Sequence, residues 1–84
     1  MEQELRQHLI ACAAIFARVA GLSLATVARR AAGDWRFFDR LGDGVGFTVG
    51  KYDEVMRWFS AHWPDSEPWP DAVPRPAEAE EAAA

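Results

Sequence analysis

Apolar residues recur at helical spacing near the start of the chain: Leu5, Leu9, Cys12, Ala13, Phe16 and Ala20 form one stripe. The spacing predicts a helix over residues 2–20, with Glu2, Glu4, Arg6, Gln7 and Arg18 largely off that stripe. Acidic residues in its first turn complement the positive end of the helix dipole. Ile10, Ile15 and Val19 widen the apolar surface, which predicts either cover on two sides or a dimer contact. Gly21 is suited to end the helix, because a glycine adopts the left-handed conformation of a C-terminal cap without strain.

A second, shorter periodicity follows. Ser23 is an N-cap residue for a helix running to Ala31 or Ala32, with Val27, Ala28 and Ala31 facing inward and Arg29 and Arg30 facing out. Gly33 allows a sharp turn. Asp34 then caps a third helix, predicted from residue 35 to about 41, with Phe38 and Leu41 inward and Trp35, Arg36, Asp39 and Arg40 outward. Phe37 is expected to pack beneath the glycine-rich loop that comes next rather than face solvent.

That loop carries Gly42, Gly44 and Gly46 at alternate positions. No strand precedes it and no Lys-Ser/Thr pair closes it, so it reads as a turn and not as a phosphate-binding loop. The alternation of Val45, Phe47 and Val49 leaves a very short extended segment open. Thr48 caps a last helix ending near His62, whose buried face is Tyr52, Val55, Met56, Phe59 and Trp63. Trp58 falls off that face, as a dimer contact or a seat for later residues. Pro64 stops the helix.

The character changes after Trp63. Pro64, Pro68, Pro70, Pro74 and Pro76 alternate with acids, and the end is rich in Ala and Glu. The pattern divides the chain into a helical domain over residues 1–63 and a proline-rich acidic tail over residues 64–84, extended or disordered. Trp69, between two prolines, is the position in the tail suited to folding back on the core. The last residues have the composition of a frayed helical turn, too short to be stable alone.

Composition sharpens this picture. The chain has 84 residues, half of them apolar and four of them Trp. That is one small domain, with enough apolar surface for a core without metal or disulfides. A single cysteine cannot form an internal bridge; Cys12 reads as a small buried apolar residue in a reducing, cytoplasmic compartment. Glu2 and Glu4 stand where a secretory leader needs positive charge, and the longest mostly apolar run, residues 9–17, is too short for a bilayer. No membrane association is expected. His8 and His62 are isolated from other ligand types, so surface or cap roles are expected and no metal. No Ser/His/Asp set, Cys/His pair or dedicated carboxylate pair is present to support an enzyme, and no cofactor is implied.

The formal charge is −4, but it is unevenly spread. Over residues 18–51, Arg18, Arg29, Arg30, Arg36, Arg40 and Lys51 outnumber Asp34, Asp39 and Asp43, for a net +3. Over residues 65–84 six acids face Arg75 alone, for a net −5. Local field, not net charge, attracts phosphate.

Two short helices around a tight turn have the layout of a helix-turn-helix, in which the first helix braces the second in the major groove of DNA. At this point the chain resembles the lambda-repressor/Cro-like (Xre-type) helix-turn-helix family. Ala28 stands at the family's helix-contact alanine, Ala32 at its small turn residue, and Phe38 and Leu41 at its two apolar anchors. Val27 and Gly44 match flanking positions, while Gly33 comes one residue later than the family's turn glycine. The resemblance covers roughly residues 23–62. The family also tends to carry a fifth helix, where this chain turns proline-rich; Trp63 and Trp69 are candidates to cover the same surface.

The resemblance implies an all-α, four-helix helix-turn-helix domain. It further implies a cytoplasmic, sequence-specific regulator of transcription that binds double-stranded DNA, as a homodimer if it binds tightly. Trp35, Arg36, Asp39 and Arg40 would then face the bases, with an arginine bidentate on guanine. Thr26, Arg29, Arg30, Thr48 and Lys51 would contact phosphates. Mixed Arg/Asp faces are also found as plain solvated surface. A protein-interaction module or adaptor on the same scaffold is the competing expectation, with its partner at the acidic tail or at Trp35, Trp58 and Trp69. A third is a tail that mimics nucleic acid and shields the basic face.

Overall fold

In the computed structural model, which describes residues 2–75, the chain forms four helices. They are α1 (Glu2–Ala20), α2 (Leu24–Ala32), α3 (Phe37–Gly42) and α4 (Val49–His62). No strand is present among the described residues, so the protein is all-α. The extended segment left open over residues 45–49 does not become a strand: Thr48 is extended, and Val49 already opens α4. An extended stretch needs a partner for its backbone groups. Here Val45 N instead donates to Arg40 O, at the end of α3.

Each helix is bounded by local chemistry. Gly21 takes φ 71°, and Leu22 N donates to Ala17 O five residues back, so α1 ends in a Schellman turn. The chain bends by 115° there. Ser23 Oγ accepts from Thr26 N at the start of α2, and Thr48 Oγ1 accepts from Lys51 N at the start of α4. Both caps are where the residue types predict them.

The core is one cluster. α1 contributes Leu9, Cys12, Ala13 and Phe16; α2 contributes Val27, Ala28, Ala31 and Ala32. Phe37, Phe38 and Leu41 come from α3, and Val55, Met56 and Phe59 from α4. The predicted α1 stripe holds except at its ends, where Leu5 is half-buried and Ala20 is exposed beside the bend. Tyr52 is also only half-buried, and its hydroxyl hydrogen-bonds His8 Nδ1 at 3.0 Å.

Residues 64–75 contain no helix, as five prolines over residues 64–76 predict, but they are not loose. The sequence places the end of the packed domain at residue 63; the structure extends the packed body through this segment. Trp69 lies 4.8 Å from the Trp63 ring, and Val73 is only 5% exposed. Trp63 Nε1 donates to Glu67 O and Trp69 Nε1 to Val73 O, each at 2.8 Å. The indoles supply apolar area, and their one polar atom closes a backbone turn, so burial leaves nothing unpaired. Arg75 reaches back to Ser60 Oγ and Ser60 O. Trp58, half-buried, packs edge-on against Phe16 and stacks on His62 at 4.3 Å. His62 Nδ1 donates to Trp58 O at 2.9 Å. The Ala/Glu-rich end, and with it the frayed turn expected there, lies outside the described residues.

Two predictions follow from this packing. Trp69→Ala removes the ring that covers Trp63 and should cost about 2–3 kcal/mol, read as a lower urea midpoint. A midpoint equal to the parent's would mean that the segment adds no stability. Cys12 is fully buried, and burial pushes its thiol up from 9.0 to about 12. The folded chain keeps a proton that the unfolded chain releases, so this contribution to stability is lost as pH rises from 9.0 toward about 12. At pH near 8, iodoacetamide should label Cys12 only as fast as the protein unfolds; rapid labelling of the native state would contradict its burial.

Candidate nucleic-acid interface

The α2–α3 segment is built around small residues. Ala28 is fully buried, and Ala31 and Ala32 nearly so, which lets α2 approach α3 and α4 closely. Gly33 takes φ 72° and its N–H donates to Arg29 O, closing α2 with a left-handed cap. Opposite, Lys51 Nζ donates to Ala32 O at 2.8 Å, so α4 satisfies a carbonyl at the end of α2.

Asp34 organises the turn. Its Oδ1 accepts from Arg36 N at 3.0 Å, and its Oδ2 lies 2.7 Å from Arg40 Nη1. The carboxylate thus fastens the turn to the helix that follows. The expectation of a helix starting at residue 35 is corrected here: α3 starts at Phe37, and Trp35 and Arg36 form a turn before it. The cause is the bond from Arg36 N to the Asp34 side chain, which holds the chain in a turn for two more residues.

The inner face of α3 is Phe37, Phe38 and Leu41, as expected, with Phe37 lining a cleft shared with Val45 and Phe47 of the loop. Trp35, Arg36, Asp39 and Arg40 are all exposed. Trp35 is 58% exposed, and the Arg36 guanidinium lies 5.7 Å from its ring centroid. Arg29 and Arg30 are exposed on α2 and form no ion pair among the described residues. A shallow depression is lined by Ala25, Thr26, Arg29 and Trp35. A second concavity brings together Asp34, Arg40, Thr48 and Lys51. Arg30 and Asp39 line neither of these two.

The nine residues singled out from the sequence therefore divide. Arg29, Arg30 and Arg36 are cations without a carboxylate partner among the described residues. Arg40 is held by Asp34, and Lys51 by Ala32 O and Glu54. Thr48 is the cap of α4, and Thr26 Oγ1 accepts from Ser23 Oγ at 3.0 Å. Asp39 is exposed.

Sequence reasoning missed Arg6. From α1 it donates to Leu41 O and Val45 O, both at 2.9 Å, and its guanidinium lies 5.5 Å from the Phe47 ring centroid. It ties the end of α3 and the loop to α1. Nothing local marks it, since its partners lie 35 and 39 residues away.

The described part of the tail does not cover the α2–α3 cations. Glu67 reaches Arg18 at 3.7 Å, and no carboxylate of residues 64–75 pairs with Arg29, Arg30, Arg36 or Arg40. Glu78, Glu80 and Glu81 lie outside the described residues. No protein-family model, curated protein or solved structure matches the chain.

Asp34→Ala should cost about 1–2 kcal/mol, because it removes both the turn hydrogen bond and the hold on Arg40. Asp34→Asn keeps an acceptor for Arg36 N and should cost less. Urea denaturation of the two variants checks the order, and equal losses would mean that the ion pair rather than the turn bond stabilises this unit.

Proposed function

We propose that this protein is a sequence-specific regulator of transcription that binds double-stranded DNA through a helix-turn-helix. In this reading α2 is the bracing helix, and α3 with the turn before it enters the major groove. One observation carries it: the α2–turn–α3 unit buries Ala28, Phe38 and Leu41 and leaves Arg29, Arg30, Arg36 and Arg40 in solvent.

The physical case is electrostatic and geometric. A chain of net charge −4 keeps four arginines on one compact unit, with one carboxylate, Asp34, paired to them. Like charges on adjoining surfaces repel weakly in water. Phosphates lining a groove reverse the sign of that cost. Arg29, Arg30 and the start of α4 at Thr48 supply phosphate contacts that set register, and α3 with its preceding turn supplies base contacts. One such module buries about 600–1,000 Å² on DNA, so tight binding calls for a homodimer on a two-fold site. A cytoplasmic location accompanies this function.

An adaptor function is the second reading, and Trp35 is the observation that favours it. Of the three tryptophans that suggest a protein partner, Trp58 and Trp69 are packed within the fold, while Trp35 remains 58% exposed. Large exposed aromatics are enriched in protein interfaces.

A salt titration of duplex binding separates the two. The logarithm of the affinity should fall linearly with the logarithm of salt concentration. Arg36→Ala and Arg40→Ala should reduce discrimination between sequences by about 1–3 kcal/mol. Arg29→Ala should weaken all sequences alike and lower the salt slope by about one. Unchanged binding by all three variants would remove α3 as the reading element. A stoichiometric protein partner with no salt-dependent DNA signal would establish the adaptor instead.

A further inference from the structure

The two arginines on the outer surface of α3 and of the turn before it, Arg40 and Arg36, are not equivalent. Arg40 Nη1 is 2.7 Å from Asp34 Oδ2, so its charge is already matched and its direction set. Arg36 has no carboxylate partner among the described residues; its guanidinium lies by the Trp35 ring, 5.7 Å from the centroid. A cation beside an aromatic face is held in place while its N–H groups remain open to an acceptor. Asp34, the nearest acid in sequence, is engaged with Arg36 N and Arg40 and does not take the Arg36 side chain.

The start of α3 makes this pairing available. Consecutive residues inside a helix point about 100° apart. Trp35 and Arg36 precede α3, in the turn held by Asp34, and there the ring and the guanidinium come together. Beside Trp35, Ala25, Thr26 and Arg29 line a shallow depression, so small, polar and cationic side chains adjoin the ring.

We propose that Trp35 and Arg36 act together as a reader of two adjacent base pairs, a guanine and a neighbouring thymine. Arg36 donates two hydrogen bonds to guanine N7 and O6, the acceptor pair that a planar guanidinium fork matches. The Trp35 ring packs on the thymine C5-methyl, the one apolar group that the major groove displays. Stacked bases lie about 3.4 Å apart, so a ring and a guanidinium in contact reach neighbouring pairs. Arg40, its direction set by Asp34, meets a flanking base in this scheme. The inference rests on the DNA-binding reading and names what the site recognises. It also gives Trp35 a role that the adaptor reading would assign to a protein partner.

The test uses the full chain and duplexes enriched from a random-sequence library at low salt. Each thymine of the enriched site is replaced in turn by uracil, which lacks only the methyl, and each guanine by 7-deazaguanine, which lacks N7. One uracil replacement should weaken the parent about fourfold, the worth of one buried methyl. Trp35→Ala should bind the thymine and uracil duplexes equally, and Trp35→Phe should recover part of the difference. Deazaguanine at the adjacent position should weaken the parent about tenfold and leave Arg36→Ala unaffected. Circular dichroism of Trp35→Ala should match the parent, since the ring is largely in solvent. An enriched site with salt-dependent binding but no uracil-sensitive position overturns the Trp35–Arg36 pair and leaves the DNA reading standing. Thymine preference retained by Trp35→Ala does the same. No enriched site together with no salt-dependent binding overturns both.

Discussion

Phe59 is the constraint on which the rest of this fold depends. It is fully buried, and its ring lies within 5.7 Å of Phe16 and 6.3 Å of both Phe38 and Trp63. Those partners come from α1, from α3 and from the residue that ends α4. One side chain therefore sets the distances among three helices. Trp63 in turn carries Trp69, 4.8 Å away, and brings residues 64–75 into the same packed body. Aromatic pairs at these separations add directional preference to the area they bury. In a domain this small, where the margin of stability is narrow, such a hub settles arrangement as well as energy.

Around that hub, charged side chains divide between holding the fold and facing solvent. Arg6, Lys51 and Arg75 donate to backbone carbonyls at the end of α3, the end of α2 and within α4 respectively. Each satisfies an acceptor while a long aliphatic stem covers the surface between elements. Arg40 is tied to the turn by Asp34. Arg29, Arg30 and Arg36, all on or between α2 and α3, have no carboxylate partner among the described residues. The concentration of open cations on this unit, in a chain of net charge −4, is the strongest physical argument for an anionic partner there.

The legible parts share a physical character. Ser23 and Thr48 mark the starts of α2 and α4 because a cap is a contact across three residues. The buried faces of α2 and α4 follow from periodicity alone, down to Val27, Ala28, Val55 and Phe59. The start of α3 was displaced because two chemistries compete for the same N–H. Asp34 at a helix start is compatible with a cap one residue before the helix, and equally with a turn that delays it; the structure takes the second. Composition also made residues 64–75 look unstructured. Their proline content does exclude a helix, but it says nothing of whether two indoles find a surface to cover.

What the chain determines by itself is therefore short in range: four helices, the caps of α2 and α4, the helices' apolar faces, and the outward direction of Trp35, Arg36, Asp39 and Arg40. Each depends on residues within about one turn of one another, where spacing alone decides which side chains meet. Tertiary structure alone decided which cations were left open. Arg6 and Arg40 both read only as outward-facing from the periodicity; one meets carbonyls 35 and 39 residues away and the other a carboxylate across a turn. It also decided that the proline-rich segment packs, because Trp69 needs a Trp63 already placed by Phe59. Partners distant in sequence are brought together only by the packed core, so no local pattern records them.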